Sequence, residues 1–435
     1  MKAKLCSVTA ATLLIVFINL QNPAALAVFS GYSFSSHTFT PCGASGVAGP
    51  TLDSCTASYN TTWDNNTDNF TVVNGIQYWV VPATGSYSIE AAGAKGGNGN
   101  GGTGGLGAKI KGTFSLTAGE TIRILVGQAG GNQTVLTGGS NSTGGGGGGT
   151  FVVRTPFNTN ASILVVAGGG GGSGSSSGGG SGQITTSGQT GLGTLSGAGG
   201  TNGGGGGGGR SGTAGTATTD GGTGTACSFG AGGGGFFTNG GANCDGSAPV
   251  TRGFGFINGG AGGPADSARS LTENTFGGFG GGAGSGHRAP GGGGYSGGGG
   301  DGASTGGGGG GSYNSGSNPT NISGANLGDG YVTITSLTPP ALSLEISGSP
   351  LQVVKGATVV LSSSVNQSGS ITFLADGKRI PGCVSIAVSN SSKLCNWKPS
   401  VQKSVKLTVI FSQSGSVTAR TDGIYISVVK RTGLR

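Results

Sequence analysis

Glycine constrains this chain more than anything else in it. It supplies 104 of the 435 residues. Most of it falls between positions 93 and 330, in runs at 144–149, 168–172, 203–209 and 306–311. Between the runs stand β-branched strings such as Ile122-Arg123-Ile124-Leu125-Val126 and Ile163-Leu164-Val165-Val166-Ala167. A pure Gly/Ser tract is a flexible linker. Glycine that returns repeatedly to β-branched strings reads instead as long excursions that leave and re-enter one sheet. A glycine run can adopt the extended helix of three residues per turn, which has no internal hydrogen bonds. Each N–H and C=O then needs a partner in water or on a neighbouring segment. Collagen is excluded, because no Gly-X-Y period holds and Pro is scarce, at 14 residues. Composition alone leaves packed and disordered glycine open, since ordering glycine costs more entropy than ordering any other residue.

The remaining pattern reads as all-β. Strands are expected at 76–81, 87–91, 108–116, 121–126, 150–153, 163–167 and 331–336, from alternation or β-branched runs bounded by turn residues. Residues 82–86 form a turn. Thr117-Ala118-Gly119-Glu120 reads as a hairpin turn pairing 108–116 with 121–126, and 150–153 pairs with 163–167. No amphipathic helix of useful length is expected in the mature chain. Thr338-Pro339-Pro340 is a linker. Beyond it, strands at 341–346, 358–365, 370–374, 404–410 and 424–429 predict a second, smaller sandwich. Lys2 and Lys4, an apolar stretch over 5–20 and Ala25-Leu26-Ala27 read as a secretory signal, with the mature chain starting at Val28. The expected organisation is a signal at 1–27, a glycine-rich β-sandwich at 28–337, the linker at 338–340 and a β domain at 341–435. No later stretch of about 20 apolar residues follows, so no transmembrane helix is expected.

Cysteine usage fits export. Cys6 lies in the signal. The other six form three sequence-local couples, and the expected disulfides are Cys42–Cys55, Cys227–Cys244 and Cys383–Cys395. Metal binding is the weaker reading: there is no Cys-x-x-Cys, and His37 and His287 are far apart. Neither a metal nor a cofactor is expected. Charge is uneven. Residues 28–337 hold 9 Lys/Arg and 11 Asp/Glu, whereas 338–435 hold 11 and 3. The basic C-terminal part could meet an anionic envelope polymer or could simply be a solvated surface. Nucleic acid is not an expected partner of an exported chain with no binding motif.

Motifs of enzymes do not hold together. Gly-x-Gly-x-x-Gly recurs by chance, and no helix is available for a dinucleotide site. Gly-Ala-Lys at 93–95 and 107–109 lacks the Ser/Thr of a phosphate loop. A catalytic triad needs a rigid scaffold around its base, and the histidines stand in an N-terminal arm and a glycine-rich loop. Candidate ligand contacts are the aromatics on glycine-rich loops: Phe236, Phe237, Phe254, Phe256, Phe276, Phe279, Tyr295 and Tyr313. Aromatics at loop tips anchor partners. The competing reading, that they pack the ends of the glycine segments, is favoured because these loops carry little other apolar mass.

Several anchors among the glycines carry a resemblance. They are Cys42-Gly43-Ala44-Ser45-Gly46, Gly75-Ile76-Gln77 with Trp79, Val81-Pro82-Ala83-Thr84-Gly85 and Ile124-Leu125-Val126-Gly127-Gln128. Further ones are Phe279 within 277–282, Tyr295 within 291–300, and Asp329-Gly330-Tyr331-Val332. Over about residues 39–337 the chain resembles the glycine-rich extracellular domain of the anaplastic lymphoma kinase and leukocyte tyrosine kinase receptors. The resemblance implies a jelly-roll-like β-sandwich with packed polyglycine helices. The tail-tip adhesins of some bacteriophages offer a weaker analogy. The Lys/Glu/Asp set of a protein kinase is not found, so the resemblance does not imply kinase activity. Ile371-Thr372-Phe373, Ile380-Pro381-Gly382-Cys383 and Cys395-x-Trp397 resemble immunoglobulin-like repeats of bacterial surface proteins, with Trp397 as a core residue. The expected function is a secreted or surface-associated, non-enzymatic binding or adhesion protein: a glycine-rich head on an immunoglobulin-like stalk, with an extracellular protein or glycan as ligand. The alternative is a structural wall or matrix protein that self-associates through its glycine tracts. A secreted hydrolase is a distant third.

Overall fold

The computed structural model describes residues 32–100, 102–133, 143–209, 230–242, 251–265, 275–285, 288–337, 341–348, 352–413 and 416–430. The expected signal segment, the start at Val28, the linker 338–340, the Cys227–Cys244 pair and His287 lie outside the described residues.

In chain order the first elements are β1 (Ser36–Phe39), a short helix α1 (Leu52–Tyr59), β2 (Phe70–Val73), β3 (Ile76–Val80), β4 (Gly85–Ala92), β5 (Gly107–Leu116) and β6 (Thr121–Leu125). β7 (Thr150–Arg154), β8 (Ile163–Ala167), β9 (Tyr313–Asn314), β10 (Ser317–Asn326) and β11 (Tyr331–Ser336) follow. They make two antiparallel sheets, of order β1-β11-β4-β5-β10 and β2-β3-β6-β7-β8-β9. The sheets pack face to face. Phe39, Ile89, Ile110 and Val332 of the first meet Phe70, Trp79, Ile122 and Val165 of the second in one buried core. The strict alternation of β5 follows, since its Ile110, Phe114 and Leu116 point inward and Lys111 and Ser115 outward. All five residues of β8 are buried, because the second sheet is covered on both faces. Its outer face carries Phe151, Val153, Ile163 and Val166, packed under aromatics of the glycine-rich segments.

The expected hairpin between 108–116 and 121–126 does not form. β5 pairs with β4 and β10, and β6 pairs with β3 and β7. The turn at 117–120 instead carries the chain from one sheet to the other, so the apolar faces of β5 and β6 meet across the core. The helix α1 and strands β2 and β10 stand where no element is expected. α1 has a capping box, in which the Thr51 hydroxyl accepts from the Ser54 N–H and Ser54 Oγ accepts from the Thr51 N–H. β2 and β3 are joined by Asn74-Gly75, whose φ values of 51° and 80° suit a two-residue hairpin turn. β10 is an edge strand with Pro319 in it and almost no apolar alternation.

The glycine segments are ordered by one another. Along 144–149 the N–H groups turn to three neighbours in rotation. Gly144 and Gly147 donate to Ser173 and Gly170, Gly145 and Gly148 to Gly131 and Gln128, and Gly146 and Gly149 to Ala283 and Gly280. A repeat of three residues is the signature of the extended glycine helix. Residues 168–173 are buried throughout. Their N–H groups donate, in order, to the Ser312 hydroxyl and to the carbonyls of Gly293, Ala94, Gly180, Pro290 and Gly97. Their carbonyls accept, in order, from Ala108, Gly310, Gly147, Gly105, Gly307 and Gly144. Every backbone polar group of the segment is thereby paired with another part of the chain, as burial requires.

The C-terminal strands are β12 (Glu345–Ile346), β13 (Gln352–Val354), β14 (Val359–Ala375), β15 (Lys378–Arg379), β16 (Ile386–Trp397), β17 (Ser404–Gln413), β18 (Ser416–Arg420) and β19 (Ile424–Val429). They form a sheet of order β12-β14-β17-β19-β13, with β15 and β16 on β14 and β18 on β17. β14 merges the strands expected at 358–365 and 370–374. Its residues 359–371 pair with β16, with a register shift between Val365 and Ser368, and its residues 370–375 pair with β17. A core separate from the others gathers Leu361, Phe373, Trp397, Leu407 and Phe411. Disulfides Cys42–Cys55 and Cys383–Cys395 are formed as expected. The whole is all-β, as the sequence pattern indicates.

Two predictions follow from this packing. A Cβ on Gly170 would overlap the carbonyl of Gly105, whereas one on Gly328 meets nothing within 4 Å. Gly170→Ala should destabilise the protein by about 3 kcal/mol or more, and Gly328→Ala by less than about 0.5 kcal/mol, in denaturant unfolding. His37 is packed edge-on among Phe39, Tyr59 and Trp63 at centroid distances of 4.7, 4.4 and 5.0 Å. Burial holds its pKa down at about 4 against an ordinary 6.5, with Asp64 opposing the shift. The unfolded chain then binds a proton that the folded chain refuses between those values. Stability should therefore fall as pH drops from 6.5 towards 4. His37→Phe should flatten that part of the profile, measured as unfolding midpoint against pH.

Candidate ligand-binding surface

The aromatics expected at exposed loop tips are not exposed. Phe236, Phe256, Phe279 and Tyr295 are buried, and Phe237, Phe254, Phe276 and Tyr313 are half-buried. Phe256 stacks between Phe151 and Phe236, at 5.1 and 5.0 Å between centroids. Tyr295 packs against Tyr313 at 4.9 Å and donates its hydroxyl proton to Asn160 Oδ1 at 2.9 Å. The physical reason is mass balance in the core. Glycine segments bring no side chains, so these rings supply the apolar contact that joins them to the outer face of the second sheet. The packing reading accounts for where the structure puts them.

A surface groove of about 720 Å³ opens beside this junction. Its walls come from three places: the loop 47–52, the β2–β3 hairpin at Val72 and Asn74, and the turn at 258–261, with Phe279 as floor. Close backbone approach shapes it, since a Cβ on Gly49 would stand 2.6 Å from the Gly75 Cα. The loop is held on both sides. The carbonyls of Gly46, Val47 and Ala48 accept from the Phe279 N–H, the Gly262 N–H and the Gln128 side-chain amide, at 2.8, 2.9 and 3.0 Å. The Cys42–Cys55 disulfide ties its start to α1. Tyr59 of α1 donates to Gln77 Oε1 at 2.6 Å and accepts from the Thr40 N–H at 3.0 Å. Burial of that hydroxyl pushes its pKa up to about 12. On the far side, Asn239 Oδ1 accepts from the Gly255 N–H and from the Asn258 amide, both at 2.9 Å.

The groove is apolar inside and polar at the rim. Val47, Pro50, Leu52 and Val72 line it, with Val47 37% exposed, and Thr51, Asn74 and Asn258 stand at the edge. No charged side chain is among its lining residues. Such a surface accepts apolar side chains and fixes them with a few neutral hydrogen bonds. The sequence reading did not single out Val47, Leu52 or Val72. The available signal was weak: small apolar residues in a turn-rich loop between two cysteines, next to an Asn-Gly turn.

Among the described residues no three His, Cys, Asp or Glu side chains converge as a metal site. No described helix is long and apolar enough to cross a membrane, which says nothing of a β-barrel. No family model matches this chain. The leukocyte tyrosine kinase receptor of Mus musculus is 37% identical over 99 residues, which cover 21% of this chain and 11% of the receptor. The match is a partial resemblance to that receptor, and the chain spans about a tenth of its length. Together with the disulfides, it is compatible with a non-enzymatic binding protein at the cell surface or outside the cell.

Proposed function

We propose that this chain is a secreted or surface-associated, non-enzymatic binding or adhesion protein. Its glycine-rich part is the recognition head, and the C-terminal sheet acts as an immunoglobulin-like stalk. The observation that carries the reading is the braced groove. A disulfide, a capped helix and backbone hydrogen bonds to the glycine lattice hold the loop 47–52 over an uncharged, apolar depression. Preorganised loops lose little entropy on binding. An extracellular protein offering an apolar side chain fits this surface better than a charged small molecule does. The resemblance to part of a receptor and the expected signal segment support the extracellular setting.

The second reading, a wall or matrix component that self-associates through glycine, has less support. The backbone groups of 168–173 are all used within the chain, which leaves none of them for a neighbouring molecule. The test is surface plasmon resonance of the full chain against a panel of extracellular proteins and glycans. Saturable binding to a defined partner is expected. Val47→Asp should weaken it at least about tenfold with the melting temperature unchanged, because a buried carboxylate at the mouth has no partner. No saturable partner, together with concentration-dependent assembly in sedimentation, would replace this reading with the second.

A further inference from the structure

The C-terminal sheet carries a second concavity, of about 580 Å³, between the β14–β15 hairpin and the loop that joins β16 to β17. Its charge is one-sided. Lys378, Arg379, Lys398 and Lys403 line it, against a single carboxylate, Asp376. That carboxylate is already engaged. Asp376 Oδ2 pairs with Lys403 Nζ at 2.6 Å, and Oδ1 accepts from the Lys406 N–H at 2.9 Å. Lys378, Arg379 and Lys398 are exposed and point their charge at solvent over the cleft. The only salt bridge described in this cleft is that of Lys403.

Beneath the charges the surface is apolar. Ile380, Pro399 and Trp397 are buried and form the floor, with Pro381 and Val401 exposed at the sides. The floor is fixed. Cys395, two residues before Trp397, is bonded to Cys383, and the Pro399 carbonyl accepts from the Gly356 N–H at 2.9 Å. A cationic rim over a proline- and tryptophan-lined floor suits a ligand with two kinds of surface: anionic groups at intervals and flat apolar faces between them. A free phosphate chain has the first and lacks the second. A neutral glycan has the second and lacks the first.

We infer that this cleft binds an anionic polysaccharide, with sugar-ring faces against the exposed Pro381 and Val401 beside the Pro399 and Trp397 floor and carboxylate or phosphate substituents on Lys378, Arg379 and Lys398. The site is independent of whatever the head binds. It turns the excess of base in residues 338–435 into a located surface.

The test uses the full chain and defined polymers: alginate as the polyuronate, dextran as the neutral glycan, and inorganic polyphosphate. Affinity electrophoresis or calorimetry should show retention by alginate that weakens with salt, no retention by dextran, and weaker binding of polyphosphate than of alginate. The double change Lys378→Gln/Lys398→Gln should weaken alginate binding at least about tenfold, a loss of two charge contacts. Lys393→Gln/Arg420→Gln removes the same charge outside the cleft lining and should leave binding within about twofold. Lys378, Lys398 and Arg420 are exposed and Lys393 is half-buried, and melting curves check that each variant is folded. Equal loss in the two variants would reduce the effect to net charge and overturn the assignment. So would equal retention by dextran, or tighter binding of anionic lipid vesicles or duplex DNA than of alginate.

Discussion

The hydrogen bond between glycine segments is the interaction on which the head depends. An extended glycine helix cannot satisfy itself, so each segment is stable only inside a set of others. Residues 168–173 show the full requirement, with six N–H and six C=O groups paired to segments around them. The spacing that permits this leaves no room for a Cβ. One on Gly171 would overlap the Gly307 carbonyl, and one on Gly148 the Phe279 carbonyl. Glycine is there because of distance between backbones, and its conformational freedom is incidental at these positions. The entropy cost of ordering so much glycine is met collectively or not at all.

This lattice changes what the sandwich beside it must do. A two-sheet sandwich normally exposes its outer faces. Here the outer face of β7 and β8 is a second core, closed by Phe236, Phe256, Phe279 and Tyr295 from the glycine-rich segments. The same contacts position the 258–261 turn and Phe279 against the disulfide-closed loop that starts at Cys42. Groove and scaffold thus depend on the same contacts. The groove owes its shape to backbone bonds between residues far apart in the chain, such as Phe279 to Gly46 and Gly262 to Val47.

Much of the β framework was legible from the chain. The strings at 76–81, 108–116, 150–153, 163–167 and 331–336 are β-branched or alternate, and each lies in the sheets. Two of the three expected disulfides are formed, and the third lies outside the described residues. What failed has physical causes. β5 and β6 both alternate and are joined by a short turn, a pattern that is the same for a hairpin and for a crossing between sheets. Only the long-range partners β4 and β3 distinguish the two. β10 and β16 escaped because they are rich in Ser and Asn, the first on an exposed edge. The loop aromatics, candidate contacts for which packing was the favoured reading, are packed, but the pattern along the chain does not reveal that the second sheet they cover has two buried faces. The groove was invisible for the same reason, since its walls come from three distant segments.

The claim that the glycine is a packed, hydrogen-bonded lattice is tested most directly by amide hydrogen exchange on the full chain with its disulfides intact. The structure predicts strong protection over 144–149 and 168–173, slowed by at least about a thousandfold relative to an unstructured peptide and comparable with β8. Exchange of these glycines at unstructured rates, with β4, β5 and β8 still protected, would contradict it. The head would then be a bare sandwich carrying loose tracts, and the groove would have no fixed wall.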